Sequence, residues 1–64
     1  MSERILRRKA AAERVGLSIR HLERLEAAGQ FPRRVKIGER AAGWIESEVA
    51  LFIAARVAAS RTRQ

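Results

Sequence analysis

Arg14-Val15-Gly16-Leu17-Ser18-Ile19 is the stretch on which the fold turns. On its N-terminal side, Arg8 to Val15 (RKAAAERV) consists largely of strong helix formers, and Gly16 stands where a helix commonly ends in a left-handed residue. On its C-terminal side, Ser18 is a good N-cap, and Leu17 is placed to staple against Leu22 one turn into the next helix. That helix extends to about Ala28, where Gly29 supplies the stop and Pro32 forbids early resumption. Two short helices meeting at a glycine-containing turn make a helix-turn-helix signature, although any αα-hairpin carries the same punctuation.

After Pro32 the period changes. Arg34, Val35, Lys36 and Ile37 alternate polar and apolar, as a half-buried strand does. Gly38-Glu39-Arg40 suits a tight connection, and Ala41 to Ile45 returns as a second strand. A lone hairpin is not stable, so Val35, Ile37 and Trp44 are expected to pack against the helices. A Trp closing a hairpin against a helix reads as a core anchor rather than a base-stacking platform. Ser47 is expected to cap a third helix, with Glu48 in its first turn and an apolar stripe of Val49, Phe52, Ile53 and Val57. The expected fold class is mostly α with a small β-hairpin, a winged helix-turn-helix. It forms one domain over residues 1–64, frayed at 1–4 and 60–64.

Composition narrows the function. The chain has 64 residues with 14 Lys or Arg against 7 acidic residues, all Glu, for a net charge of +7. One His and no Cys, Asp or Tyr leave few groups for acid–base or nucleophilic chemistry, so an enzyme is not expected. So short a chain has little volume for a water-excluding pocket, and neither a small-molecule ligand nor a cofactor is expected. The single His21 is a poor metal candidate, because a site needs three or four converging ligands. Without cysteine, neither disulfides nor thiolate zinc supplement the small core. No apolar run suits a membrane span, and a cytosolic protein is expected. The charge excess points to a polyanion, with nucleic acid the commonest, while an inert basic surface is the bland alternative.

The surplus lies in three blocks. Arg4, Arg7, Arg8 and Lys9 against Glu3 give the N-terminal arm +3. Arg33, Arg34, Lys36 and Arg40 against Glu39 give the middle segment +3, and Arg56, Arg61 and Arg63 give the tail +3. In the second helix, Arg20 and Arg24 cancel against Glu23 and Glu26.

Several of these residues together resemble a known family. Leu17-Ser18 opens a helix; Gly29-x-Phe31-Pro32, Val35-Lys36-Ile37-Gly38 and Arg40-Ala41-x-Gly43-Trp44 follow, then Glu48-Val49-x-x-Phe52-Ile53. This spacing resembles the AlpA family of small prophage-associated DNA-binding regulators, related to MerR and excisionase winged-helix domains, over roughly residues 5–57. The resemblance implies a protein of the bacterial cytosol or nucleoid. It would bind a promoter or attachment-site region and switch integrase or excisionase activity.

Independently of that resemblance, the helical wheel buries Leu22 and Leu25 and turns Arg20, Arg24 and Ala27 outward, with Glu23 beside them. Residues at the start of such a helix, here Ser18, Ile19, Arg20 and His21, reach base edges in the major groove. Arg20 and Arg24 suit bidentate contact with guanine, and Glu23 either accepts from cytosine or pairs with Arg20. Arg33, Arg34, Lys36 and Arg40 are the expected phosphate contacts of the wing. The partner is therefore double-stranded DNA. The leading function is a sequence-specific transcriptional regulator; the alternatives are an excisionase-like factor that bends attachment-site DNA and a protein-binding antirepressor module. Leu51, with Ala54, Ala55 and Ala58, forms a second apolar face on the third helix. It reads either as a homodimer contact or as ordinary exposed residues.

Overall fold

The turn at Gly16 forms as its residues dictate. In a computed structural model describing residues 3–62, α1 (Arg8–Val15) ends at Gly16, whose φ of 87° lies where a side chain would be strained. The N–H groups of Gly16 and Leu17 both return to the Ala12 carbonyl, at 2.8 and 3.1 Å. Ser18 then caps α2 (Ile19–Ala27), its hydroxyl accepting the His21 backbone N–H at 3.1 Å. At the far end, Gly29 donates to the Glu26 carbonyl and Gln30 to the Leu25 carbonyl, the paired bonds of a Schellman stop.

The wing follows. β2 (Val35–Lys36) pairs antiparallel with β3 (Ala42–Ile45), with Val35 opposite Gly43 and Lys36 opposite Ala42. The connection closes where the Ile37 and Gly38 N–H groups both donate to the Ala41 carbonyl. A third strand, β1 (Ile5–Leu6), lies on the other side of β3, giving the sheet order β1-β3-β2. The N-terminal arm is thus partly structural: Leu6 pairs with Trp44 and Ile5 with Ile45. Of the termini expected to fray, residues 1, 2, 63 and 64 lie outside the described residues, while the Arg4 carbonyl accepts the Glu46 N–H at 2.8 Å. α3 (Glu46–Arg61) runs through Ser60.

That backbone bond corrects the expected start of the third helix. α3 begins directly off β3 with Ile45 at its N-cap position, and no side chain caps it. The Arg4 carbonyl takes up the Glu46 amide, and Ser47, now the second residue of the helix, donates its hydroxyl to the Glu3 carboxylate at 3.1 and 3.2 Å. Glu46 and Glu48 still stand in the first turn, favourable to the helix dipole.

The core gathers Leu6, Ala11, Ala12, Leu22, Phe31, Trp44 and Val49 between the helices and the sheet. Trp44 is completely buried, as its anchoring role requires. Phe31 meets it edge to face at 5.4 Å between centroids and meets Phe52 at 4.7 Å. Two expectations about packing are revised. Ile37 is 46% exposed, because the strand ends at Lys36 and the chain leaves the core there, and Val57 is 42% exposed. The apolar stripe of α3 is covered only over its first half, and every residue from 54 to 62 is exposed. The described residues form three helices and a small antiparallel sheet, an architecture compatible with a small winged helix-turn-helix domain.

Candidate nucleic-acid interface

The Ser18 cap fixes the orientation of α2. With Leu22 inward and fully buried, the same periodicity turns Arg20, His21, Arg24 and Ala27 out to solvent. Ile19 is half-buried and packs against the core, so its side chain supports the helix start. Ser18 is exposed, with its hydroxyl engaged as the cap. His21 gives its backbone N–H to that cap. No group of three or more metal-ligating side chains surrounds it among the described residues.

The two carboxylates of α2 are handled differently from its arginines. Glu26 is clasped by Arg34, which enters from the segment just before β2. Arg34 Nη2 lies 2.6 Å from Glu26 Oε1, its Nε lies 3.1 Å from both carboxylate oxygens, and its backbone N–H donates to Oε2 at 2.8 Å. The guanidinium also sits 4.8 Å from the centroid of the Trp44 ring, within cation–π range. Glu23 lies between two cations, 3.5 Å from Arg8 Nη1 and 3.6 Å from Arg34 Nη2. One arginine of the wing therefore links both acidic residues of α2 to the buried tryptophan.

These contacts set the charge states. The Arg34 hydrogen bond holds the Glu26 carboxyl below its ordinary pKa, against an opposing push from burial. The Arg34 pKa is raised, chiefly by the hydrogen bond to Glu26, again against desolvation. The Trp44 indole N–H is buried without a hydrogen bond of normal geometry, and it adds a small further stabilisation of the ionised Glu26.

The remaining wing cations, Arg33, Lys36 and Arg40, are exposed and have no acidic partner among the described residues, as do Arg20 and Arg24 on α2. Arg7, Arg8 and Lys9 surround the N-terminus of α1, where no side chain caps the helix and no acidic residue offsets its dipole. The structure thus places Arg20, His21 and Arg24 on the outward face of α2 and Arg33, Lys36 and Arg40 on the exposed wing. It turns Arg34 inward and pairs Glu23 with Arg8 and Arg34. Sequence reasoning missed Glu26 and Trp44 as partners of a wing arginine. The only available signal was the compensating charge eight residues apart across the Gly29 stop.

A family model described as the prophage CP4-57 regulatory protein (AlpA) matches residues 4–57. No curated protein and no solved structure matches the chain.

Proposed function

The chain belongs to the AlpA family of prophage regulatory proteins, and we propose that it is a sequence-specific DNA-binding regulator of prophage or mobile-element genes in the bacterial cytosol. In this reading α2 enters the major groove, where Arg20 and Arg24 meet base edges, and the wing of residues 33–44 follows the phosphate backbone. The observation that carries it is the exposure, on both α2 and the wing, of cations without an acidic partner among the described residues, while the acidic side chains of α2 are tied back. Phosphate contacts supply affinity at any sequence, and the helix supplies discrimination. No helix is long and apolar enough to cross a membrane among the described residues. The protein works as a binder rather than a catalyst.

A mobility-shift titration on the DNA upstream of its own gene, against excess non-specific competitor, tests this. A discrete competitor-resistant complex and one promoter footprint are expected. Several phased footprints across an attachment region mark an excisionase-like factor instead. Affinity that falls to background at moderate salt while a protein partner is retained marks an antirepressor.

A further inference from the structure

We propose that Arg34 serves DNA binding without touching DNA: it neutralises Glu26, shares Glu23 with Arg8, and locks the wing to α2, so that the helix offers the duplex only its arginines. The inference rests on α2 and the wing being the DNA-facing surface. It makes Arg34 a positioning residue, distinct from Arg33, Lys36 and Arg40.

The geometry separates Arg34 from its neighbours. Its Nε, one Nη and its backbone N–H are all directed to a single carboxylate, and one face of the guanidinium lies over the buried Trp44 ring. Its side chain is only 31% exposed and that of Glu26 only 16%, so the pair is shielded from solvent and salt more than a surface bridge is. A guanidinium held by such a bidentate contact and a ring face would have to abandon both to grip a phosphate.

The consequence lies in the charge of α2. In the linear sequence the helix is neutral, which is a poor design for approaching a duplex with one phosphate charge per about 1.7 Å of axis. The fold divides that neutrality. Glu23 and Glu26, three residues apart on one flank, face Arg34 and Arg8, while Arg20 and Arg24 face solvent. The Glu26 carboxyl, with its pKa lowered, stays ionised near neutral pH, so a cation and not a proton must cancel it. Without Arg34, a half-buried carboxylate is left uncompensated beside the reading face, and the wing loses its tie to the helix.

The test compares three full-length variants with wild type on a generic DNA duplex, where base reading contributes nothing. Arg34→Gln is expected to weaken binding about tenfold, one unpaired carboxylate near the backbone, while the slope of log K against log salt stays as in wild type. Glu26→Gln combined with Arg34→Gln removes both charges but leaves two amides able to hydrogen-bond across the same gap and keep the wing on α2, and it is expected to restore affinity to within about threefold of wild type. Arg40→Ala is the reference for a phosphate contact, lowering the slope by about 0.9. A slope for Arg34→Gln that falls as it does for Arg40→Ala, with no recovery in the double variant, overturns the proposal and makes Arg34 a direct contact. Unchanged affinity for Arg34→Gln also overturns it. Should Arg34→Gln fail to fold by circular dichroism, the double variant decides by the same two readouts, because it leaves no unpaired charge. Wild type that binds no duplex at all defeats the DNA reading itself, a result separable from either of these.

Discussion

Gly43 passes directly against Leu6: a Cβ added to Gly43 would lie 2.7 Å from the Leu6 carbonyl oxygen and 2.6 Å from Cγ2 of Ile5. Relief is not available by a side-chain rotation alone, because the oxygen belongs to backbone held in register by the Leu6–Trp44 pairing. That pairing brings Leu6 and Trp44, both core residues, together. Gly43→Ala is therefore expected to destabilise the domain by about 2–3 kcal/mol through forced separation of β1 from β3. For a chain of this size, each kcal/mol lowers Tm by about 4–8 °C, so thermal denaturation followed by circular dichroism reads the effect clearly. Gly38→Ala is the control. Its added Cβ meets only the Ala41 side chain at 3.8 Å, an ordinary contact, and the change is expected to stay within about 0.5 kcal/mol.

The Glu26–Arg34 pair predicts a pH signature of folding. Glu26 has a folded pKa below its ordinary value of 4.5, so its contribution is present in full above that value and is lost as pH falls through the lowered one. The raised Arg34 pKa lies too high to matter in this window. Glu26→Gln keeps the shape and removes the charge. It is expected to cost about 1–2 kcal/mol at pH 7, leaving a half-buried guanidinium poorly paired. The gap between wild type and variant should shrink steadily as pH is lowered below about 4.5 in urea titrations. A gap independent of pH would show that the carboxylate charge contributes nothing.

Where chain order and local chemistry coincide, the fold was readable in advance. Gly16, Ser18 and Gly29 act on backbone within a few residues of themselves, so the helix boundaries around the turn could be placed from residue types alone. Trp44 was equally legible, since a large apolar side chain in a hairpin beside a helix has few alternatives to burial. What escaped detection depends on partners remote in sequence. β1 has two residues and no period to recognise, and it exists because Gly43 admits its backbone and Glu46 needs an acceptor for its N–H. With α3 starting directly off β3, Ser47 falls inside the helix and donates to Glu3 instead of capping it. Arg34 looked like any other cation in a basic run; only the turn at Gly29 brings it back onto Glu26, and only packing slides it over Trp44.

Affinity and base preference should separate by segment. Arg40, exposed in the wing connection, faces no acidic partner among the described residues, and Arg40→Ala is expected to weaken binding to all sequences alike. The salt slope should fall by about 0.9, the signature of one lost phosphate contact. Arg20, the exposed second residue of α2, is expected to act differently. Arg20→Ala should cost about 1–3 kcal/mol on the preferred site and much less on a scrambled one, so that base preference relaxes. A salt-titrated binding assay on both duplexes measures the two effects together. The reverse pattern, with Arg40 controlling preference and Arg20 the slope, would exchange the roles of helix and wing.

On α3, Leu51 is 71% exposed, and Ala54, Ala55 and Ala58 continue its face with small exposed side chains that admit close helix approach. The opposite flank of the same helix holds Phe52 and Ile53 against the core. Because the outward face lies away from that packing, Leu51→Glu is expected to leave Tm within about 1 kcal/mol equivalent of wild type. If two copies pair through this face, as a two-fold operator would require, the substitution places two carboxylates in an apolar contact and abolishes the dimer. Sedimentation equilibrium with and without a duplex carrying two half-sites reads it: a wild-type dimer lost in Leu51→Glu supports pairing through α3. Wild type that remains monomeric on and off DNA removes the dimer and leaves Leu51 as a solitary exposed leucine of the kind most surfaces carry.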